Sequence, residues 1–441
     1  MQFFNLTTID NKRVSLDIIG NRMTLQPQSD GSSGPRLSED DLRQHIQGGK
    51  SVNAEGYWLL PGMIDAHVHS REPGHEYKED WQHLARSAFK GGVVGVCDMP
   101  NTSPPTTDRQ SIEQKMRAAG KAGIAYRFFL GVTEDNIGEC RELLRDDSLP
   151  LCGVKIYYGQ TTGTLHFSHI EKLAALATDK ILVFHSEDQC CMDDNLKGAP
   201  PELTFKNPED FAWHSRIRDT RAAMTSTRAI LEWAKNSPAR IHIAHISTPE
   251  EVDLIIKARE QGVRVTCEIA PHHLIFSTKD YKRWGGFLKM NPPIRDEAQV
   301  ERLRKQFAQR EIEVYATDHA PHTLEEKRRA DYLQCPSGVP ALEFFAPLLF
   351  YTAQQAGLDI ADAVAMASSV PSRLFGMPEL GTLKSNAFAS FSIVKPEKFR
   401  ITERDVQAKC GWSPYLNLEM PAKVFATWHL GELKYLCGDL E

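Results

Sequence analysis

The stretch WLLPGMIDAHV at residues 58–68, followed at once by His69, decides how the rest of the chain is read. It is an apolar run of strand length that ends in His-x-His. Working outward, seven further runs of similar kind follow: VVGVCDM (93–99), IAYRFFLGV (124–132), LCGVKIYY (151–158), KILVFH (180–185), RIHIAHI (240–246), VRVTCEI (263–269) and EVYATD (313–318). Between them lie segments with helical periodicity, among them SIEQKMRAAGKAG, HIEKLAALATD, DTRAAMTSTRAILEWAKN, PEEVDLIIKAREQG and AQVERLRKQFAQR. Eight strands, each followed by a helix, predict an α/β fold of the (β/α)8 TIM-barrel kind.

The flanks read differently. Residues 1 to about 56 are polar, with a few strand-like runs and a loose stretch, QPQSDGSSGP, at 26–35 that reads as a loop. The tail returns to short strand-like pieces, FASFSIV, KVFATWHL and ELKYLC. The expected organisation is therefore a barrel at 57–380 beside a small β-sandwich domain made of segments 1–56 and 381–441.

Composition excludes several classes. At 441 residues the chain can bury a large core without staples. Its net charge of −6 argues against binding to nucleic acid or to an anionic membrane. No apolar run approaches the roughly 20 residues of a membrane span. The opening MQFFNLTTIDNKRV lacks a basic region followed by an apolar stretch, so no secretory signal is expected. Nine cysteines, an odd number, are scattered without a CxxC, and Cys190 and Cys191 are adjacent. That pattern suits reduced thiols in the cytoplasm.

Active-site groups of such barrels sit at the C-terminal ends of the strands. The polar residues at the predicted ends are His67 and His69 on the first strand and Asp98 and Asn101 near the second. Lys155 lies on the fourth, His185 on the fifth, His245 on the sixth, Glu268 on the seventh and Asp318 on the eighth. His-x-His places both imidazoles on one face of a strand. Two imidazoles on one face can chelate an ion, and neutral imidazole suits Zn²⁺. Any one of these histidines alone reads as a satisfied barrel residue; their convergence on one mouth is what points to a metal.

Lys155 is a cation among candidate ligands. A buried lysine can become a neutral amine, and such an amine can take up CO₂ as a carbamate, an anionic ligand with two oxygens. The fourth strand offers no Asp or Glu to bridge two metals, and a carbamate on Lys155 would supply that anion. The plainer alternative is a lysine paired with a neighbouring carboxylate.

PGMIDAHVHSREPG, DMPNTSPPT, the fourth-strand lysine, CEIAPHHL, MNPPIR and ATDHAPHTLEEK together resemble the amidohydrolase superfamily, and more narrowly its dihydroorotase branch. The resemblance spans about 58–345. It implies interconversion of N-carbamoyl-L-aspartate and L-dihydroorotate in pyrimidine biosynthesis, by two Zn²⁺ per subunit. It implies that His67, His69 and Asp318 bind one metal, and His185 and His245 the other. A CO₂-derived carbamate on Lys155 and a hydroxide bridge them, with Asp318 as general base and acid. Arg71, Asn101 and His322 match positions that hold substrate carboxylates, Asn291 a ring contact, and Ser337-Gly338 backbone contacts. One departure is Ala341, where GVPALE replaces the family's G-x-P-G-L-E; it leaves the backbone path there open. The partner expected is a small molecule, with no nucleic acid and no membrane, in a homo-oligomer such as a dimer or tetramer.

The nearest rival reading is a hydantoinase, dihydropyrimidinase or allantoinase, whose simpler substrates lack the ring carboxylate that Arg71 and Asn101 would grip. A rival of another class is an inactive scaffold relative, which should have lost ligands; none is lost here. The loop GQTTGTLHF (159–167) follows Lys155 and is expected to pass over the barrel mouth. Thr161 and Thr162 are expected to close on the ligand carboxylate as a lid; the alternative is a solvated turn. The roughly 55 residues between His185 and His245 exceed what one helix needs, and either a lid or an oligomer contact would account for them.

Overall fold

The computed structural model describes residues 1–28, 37–159, 163–199 and 207–438. Eight strands form the barrel: β1 (Met63–Val68), β2 (Val93–Asp98), β3 (Ala125–Gly131), β4 (Leu151–Tyr158), β5 (Ile181–Ser186), β6 (Ile241–Ile243), β7 (Val265–Ile269) and β8 (Val314–Tyr315). Each pairs in parallel with the next in sequence order. All residues of β1, β2 and β5 are buried, which follows from helices covering the outer face of a parallel sheet.

The ring closes between β8 and β1 through a buried carboxylate. The Thr317 amide donates to Asp65 Oδ1 at 3.0 Å, and the Thr317 hydroxyl donates to Asp65 Oδ2. Just above, Val68 bridges His319, and the His69 amide donates to the His319 carbonyl at 2.8 Å. Burial pushes the Asp65 carboxyl up to about 6, against the lowering effect of the Thr317 donors.

The outer helices start where the sequence supplies caps. Asp108 caps Arg109–Ala119, Asp219 caps Thr220–Lys235, and Asp296 caps Glu297–Ala308. Thr248 and Glu251 form a reciprocal capping box at the start of Pro249–Glu260, with Pro249 in the first turn, where its missing N–H costs nothing. The stretch 169–179 departs from the helical expectation. It forms a 3₁₀ helix at Ile170–Leu176, ended by Ala177 in the left-handed region at φ 42°.

Three further differences matter for the site. The run 58–68 is two strands, not one. Trp58–Pro61 lies parallel to Gln2–Thr8 and antiparallel to Phe391–Lys395, in a separate sheet. Only Met63–Val68 enters the barrel. Gly62 lies between them, where a Cβ would lie 2.4 Å from Val94 Cγ2 and 2.9 Å from the Ser390 carbonyl. The runs 240–246 and 313–318 also stop early as strands, because the backbone turns left-handed at His245 (φ 35°) and Asp318 (φ 47°).

The terminal segments form one mixed sheet. Its order is Glu432–Leu436, Lys423–His429, Phe391–Lys395, Trp58–Pro61, Gln2–Thr8, Arg13–Ile19 and Arg22–Pro27, with Val52–Asn53 added beside Gln2–Thr8. Phe3, Leu6, Leu16, Leu59, Phe391 and Trp428 are at its own core. Between its strands the chain makes an excursion back to the barrel. Trp412, Tyr415 and Met420 join a third core with Phe211, Tyr281 and Tyr332. Among the described residues, no helix is long and apolar enough to cross a membrane.

Gly62→Ala places a methyl group inside the contact distances of both sheets. It is expected to lower stability by about 1–3 kcal/mol, the usual range for overpacking. Urea denaturation checks this as a shift in midpoint with an unchanged slope.

Candidate active site

His67, His69, Lys155, His185, His245 and Asp318 converge at the C-terminal mouth of the barrel. With Arg71, Asn101, Tyr157, Asn291, Ala320, Ser337 and Gly338 they line a narrow cavity of about 30 Å³. His322 lies just behind this wall. Thr161 and Thr162 lie outside the described residues.

The protons on the histidines can be assigned from their outer partners. His67 Nδ1 donates to Glu268 Oε1 at 2.5 Å, and His69 Nδ1 donates to Asn101 Oδ1 at 2.7 Å. Each Nε2 is therefore an unprotonated lone pair. Both lone pairs point at the same atom, Asp318 Oδ1, at 3.3 Å and 3.1 Å. Three acceptors facing one another without a shared proton repel unless a cation lies among them. Their ligand atoms lie within 4.8 Å of one another, so the residues present fit a metal ion.

A second pair stands beside the first. His185 Nε2 donates to Glu187 Oε2 at 2.8 Å, which leaves Nδ1 as a lone pair facing His245 Nε2 at 3.1 Å. The His67 and His245 rings are 5.2 Å apart, so the two groups share one floor. Lys155 completes it. Its ammonium is buried and has no hydrogen-bond partner among the described residues. Burial pushes its pKa down to about 8, against the raising pull of Glu268 and Asp318. The expected alternative, a close carboxylate partner, is absent among the described residues.

Arg71 sits at φ 65°, in the left-handed region, and is buried. Its Nε donates to the Pro321 carbonyl at 3.0 Å, and its Nη2 lies 3.1 Å from His322 Nε2. Lys78 Nζ donates to His322 Nδ1 at 3.1 Å, and His322 Nε2 lies 3.0 Å from the Ser337 carbonyl. His322 thus links the Arg71 side of the cavity to the Ser337-Gly338 loop. That loop is fixed from below by Lys327, whose Nζ donates to the carbonyls of Lys289, Pro336 and Gly338 at 3.0, 2.9 and 3.0 Å. Gly338 is required where it stands: φ is 143°, and a Cβ would meet the Ala320 carbonyl at 2.4 Å. Ala341 has φ −145°, so this position needs no glycine, and the departure from the family pattern carries no strain.

The sequence reading missed the carboxylates behind the ligands. Glu268 was noted at a strand end without a role. It accepts from His67, from His242 Nε2 at 3.1 Å and from the His245 amide at 3.1 Å. Glu187 could have been found by alternation, since it lies two residues after His185. Arg218 grips it from Nε at 3.1 and 3.0 Å and from Nη2 at 2.5 Å. Although both are buried, these partners hold both carboxyls below the usual range. Asp98 does not enter the cavity. It accepts from the Ser70 amide and hydroxyl at 2.7 and 2.8 Å and pairs with buried Lys115 at 2.6 Å.

The stretch between His185 and His245 also acquires a part. Arg218 lies in it, and so does His214, which accepts from the Tyr332 hydroxyl at 2.7 Å and donates to the Met290 carbonyl at 2.8 Å. Arg295 donates in turn to the Arg218 carbonyl at 2.5 Å. The described part of this stretch thus ties the loops after β7 and β8 to the fifth-strand histidine.

An eight-stranded parallel barrel with histidines, a lysine and an aspartate at its mouth defines a class of hydrolase, and comparison with known proteins places the chain within it. The family model for the amidohydrolase family matches residues 58–189. The dihydroorotase of Methanosarcina acetivorans is 34% identical over 390 residues, covering 83% of this chain and 80% of that protein. The dihydroorotase of Halobacterium salinarum is 37% identical over 372 residues, covering 82% and 83%. In fold, the L-hydantoinase (dihydropyrimidinase) of Arthrobacter aurescens superimposes with a TM-score of 0.87 at 21% identity, over 100% of this chain and 97% of its own. The dihydropyrimidinase of Brevibacillus agri gives 0.85 at 20% identity, over 98% and 94%. The chain belongs to the dihydroorotase family of amidohydrolases. It is a hydrolase acting on cyclic amides.

Because Glu268 fixes the proton of His67, Glu268→Gln should weaken metal binding about 10- to 100-fold, as loss of such outer partners typically does. Titration of metal-free protein with Zn²⁺ measures it. An unchanged affinity would make Glu268 a structural residue only.

Proposed function

We propose that the protein is a dihydroorotase that interconverts N-carbamoyl-L-aspartate and L-dihydroorotate in pyrimidine biosynthesis. The observation that carries this reading is a buried guanidinium, Arg71, in the same cavity as the His67–His69–Asp318 cluster and the His185–His245 pair. A guanidinium there answers a substrate carboxylate, which dihydroorotate has and dihydrouracil and simple hydantoins lack. That observation favours dihydroorotate over the hydantoinase reading.

Two Zn²⁺ ions are the proposed cofactors. His67, His69 and Asp318 would hold one, and His185 and His245 the other. Lys155, as its carbamate, would join them. Bound there, the ions would supply an activated water and polarise the scissile carbonyl. The protein's own groups do the rest. Asp318 takes the proton of the attacking water and returns it to the leaving ring nitrogen. In the biosynthetic direction it takes the proton from the carbamoyl nitrogen. Arg71 orients the ring through its carboxylate, with Asn101 beside it and Asn291 and the Ser337-Gly338 backbone on the further wall. Arg71, Lys155, Asp318 and the four histidines of this site are buried, so charge on the substrate is answered by fixed groups and not by bulk water. All nine cysteines are free, which supports the reading of a reduced, cytoplasmic enzyme.

Spectrophotometric assay of metal-replete protein on dihydroorotate, with hydantoin and dihydrouracil as controls, tests the reading. Preference for either control would overturn it. Arg71→Met should lower kcat/KM on dihydroorotate by about 2–5 kcal/mol of binding, roughly 30-fold or more, with unchanged metal content. Loss of metal in that variant would instead make Arg71 structural.

A further inference from the structure

β4 carries Lys155 and Tyr157 on one face, because side chains alternate along a strand. Lys155 is absorbed by the metal site; Tyr157 has no role there. Its ring is held in place by the floor of the site. It packs against His185 with centroids 6.4 Å apart, and Lys155 Nζ lies 5.4 Å from its centre. The residue is buried and lines the cavity with Arg71 and Asn101. Its hydroxyl has no hydrogen-bond partner among the described residues. A buried hydroxyl left without a partner is costly, and native proteins seldom keep one without a use.

The needs of a bound carboxylate match what is left over. A carboxylate offers about four lone-pair positions, and inside a dry cavity each unsatisfied one counts against binding. Arg71 has committed Nε to the Pro321 carbonyl and set Nη2 beside His322. Asn101 has committed its carbonyl to His69. One guanidinium edge does not fill a carboxylate. We propose that the Tyr157 hydroxyl is a further substrate-binding group, donating to the substrate carboxylate beside Arg71 and thereby selecting cyclic amides that carry one. The assignment rests on the proposed function, since it needs a substrate with a ring carboxylate.

Tyr157→Phe removes only the oxygen. Steady-state kinetics on dihydroorotate should show KM raised about tenfold or more, the size of one hydrogen bond to a charged group, with kcat nearly unchanged, because the carboxylate is remote from the bond being broken. Dihydrouracil differs by the carboxylate alone. Read as substrate or as competitive inhibitor, its constants should be the same for variant and parent. Metal content should also be the same. A parent active on dihydroorotate whose variant keeps the parent KM overturns the assignment alone. So does a variant that loses metal, or one that weakens dihydrouracil to the same extent, since the hydroxyl then serves the metal floor or the ring. A parent without dihydroorotate activity overturns the proposed function first and the assignment with it.

Discussion

The hydrogen bonds from His67 to Glu268 and from His185 to Glu187 are what the site depends on. An imidazole carries one proton when neutral, and whichever nitrogen holds it decides what the other can do. With the outer nitrogen of His67 bound to Glu268 and that of His69 to Asn101, the inner ones become lone pairs, both set against Asp318. Such a set of facing acceptors fits a cation among them. Each carboxylate is itself restrained, Glu268 by His242 and Glu187 by Arg218, so the orientation does not rest on a single contact. This makes the buried charges intelligible. Isolated carboxylates at such depth would be strongly unfavourable, but each here has donors on more than one side.

The second constraint is backbone strain at the mouth. Arg71, His245 and Asp318 all adopt positive φ, a conformation that costs about 1–3 kcal/mol for residues other than glycine. All three belong to the cavity. At each the chain leaves the strand direction and turns its side chain inward over the floor. The cost is offset by the closed ring of strands beneath, where Asp65 and Thr317 join the last strand to the first, and by the clamps above. Those clamps are Lys327 on the Gly338 carbonyl and the Trp412 indole, which donates to the His322 carbonyl at 2.7 Å. The C-terminal excursion and the Arg218 segment thus serve the same end: they hold strained loops in one position.

Most of the barrel was legible because its strands are buried on both faces and therefore read as largely apolar runs; the run at 151–158 matches β4 residue for residue. The same property hid the break at Gly62, since a strand in the neighbouring sheet is equally apolar. The left-handed turns at His245 and Asp318 left no mark either; nothing in AHI or ATD signals a positive φ. The residues that line the mouth were legible as polar groups ending apolar runs. Arg218 was not, because its role depends on distance across the fold; Glu187 carried only the weak signal of alternation from His185. Tyr157 read as one more aromatic of a buried strand; only the absence of a partner for its hydroxyl distinguishes it.

The central claim is that the lone pairs at this mouth exist to hold two cations joined through Lys155. Anomalous diffraction from crystals of the zinc-loaded enzyme grown with bicarbonate tests it most directly. The account predicts one peak among His67, His69 and Asp318, a second between His185 and His245, and density continuing beyond Lys155 Nζ to a carbamate that reaches both. A fully active crystal form with a free ammonium at Lys155, or with no metal between His185 and His245, would contradict it.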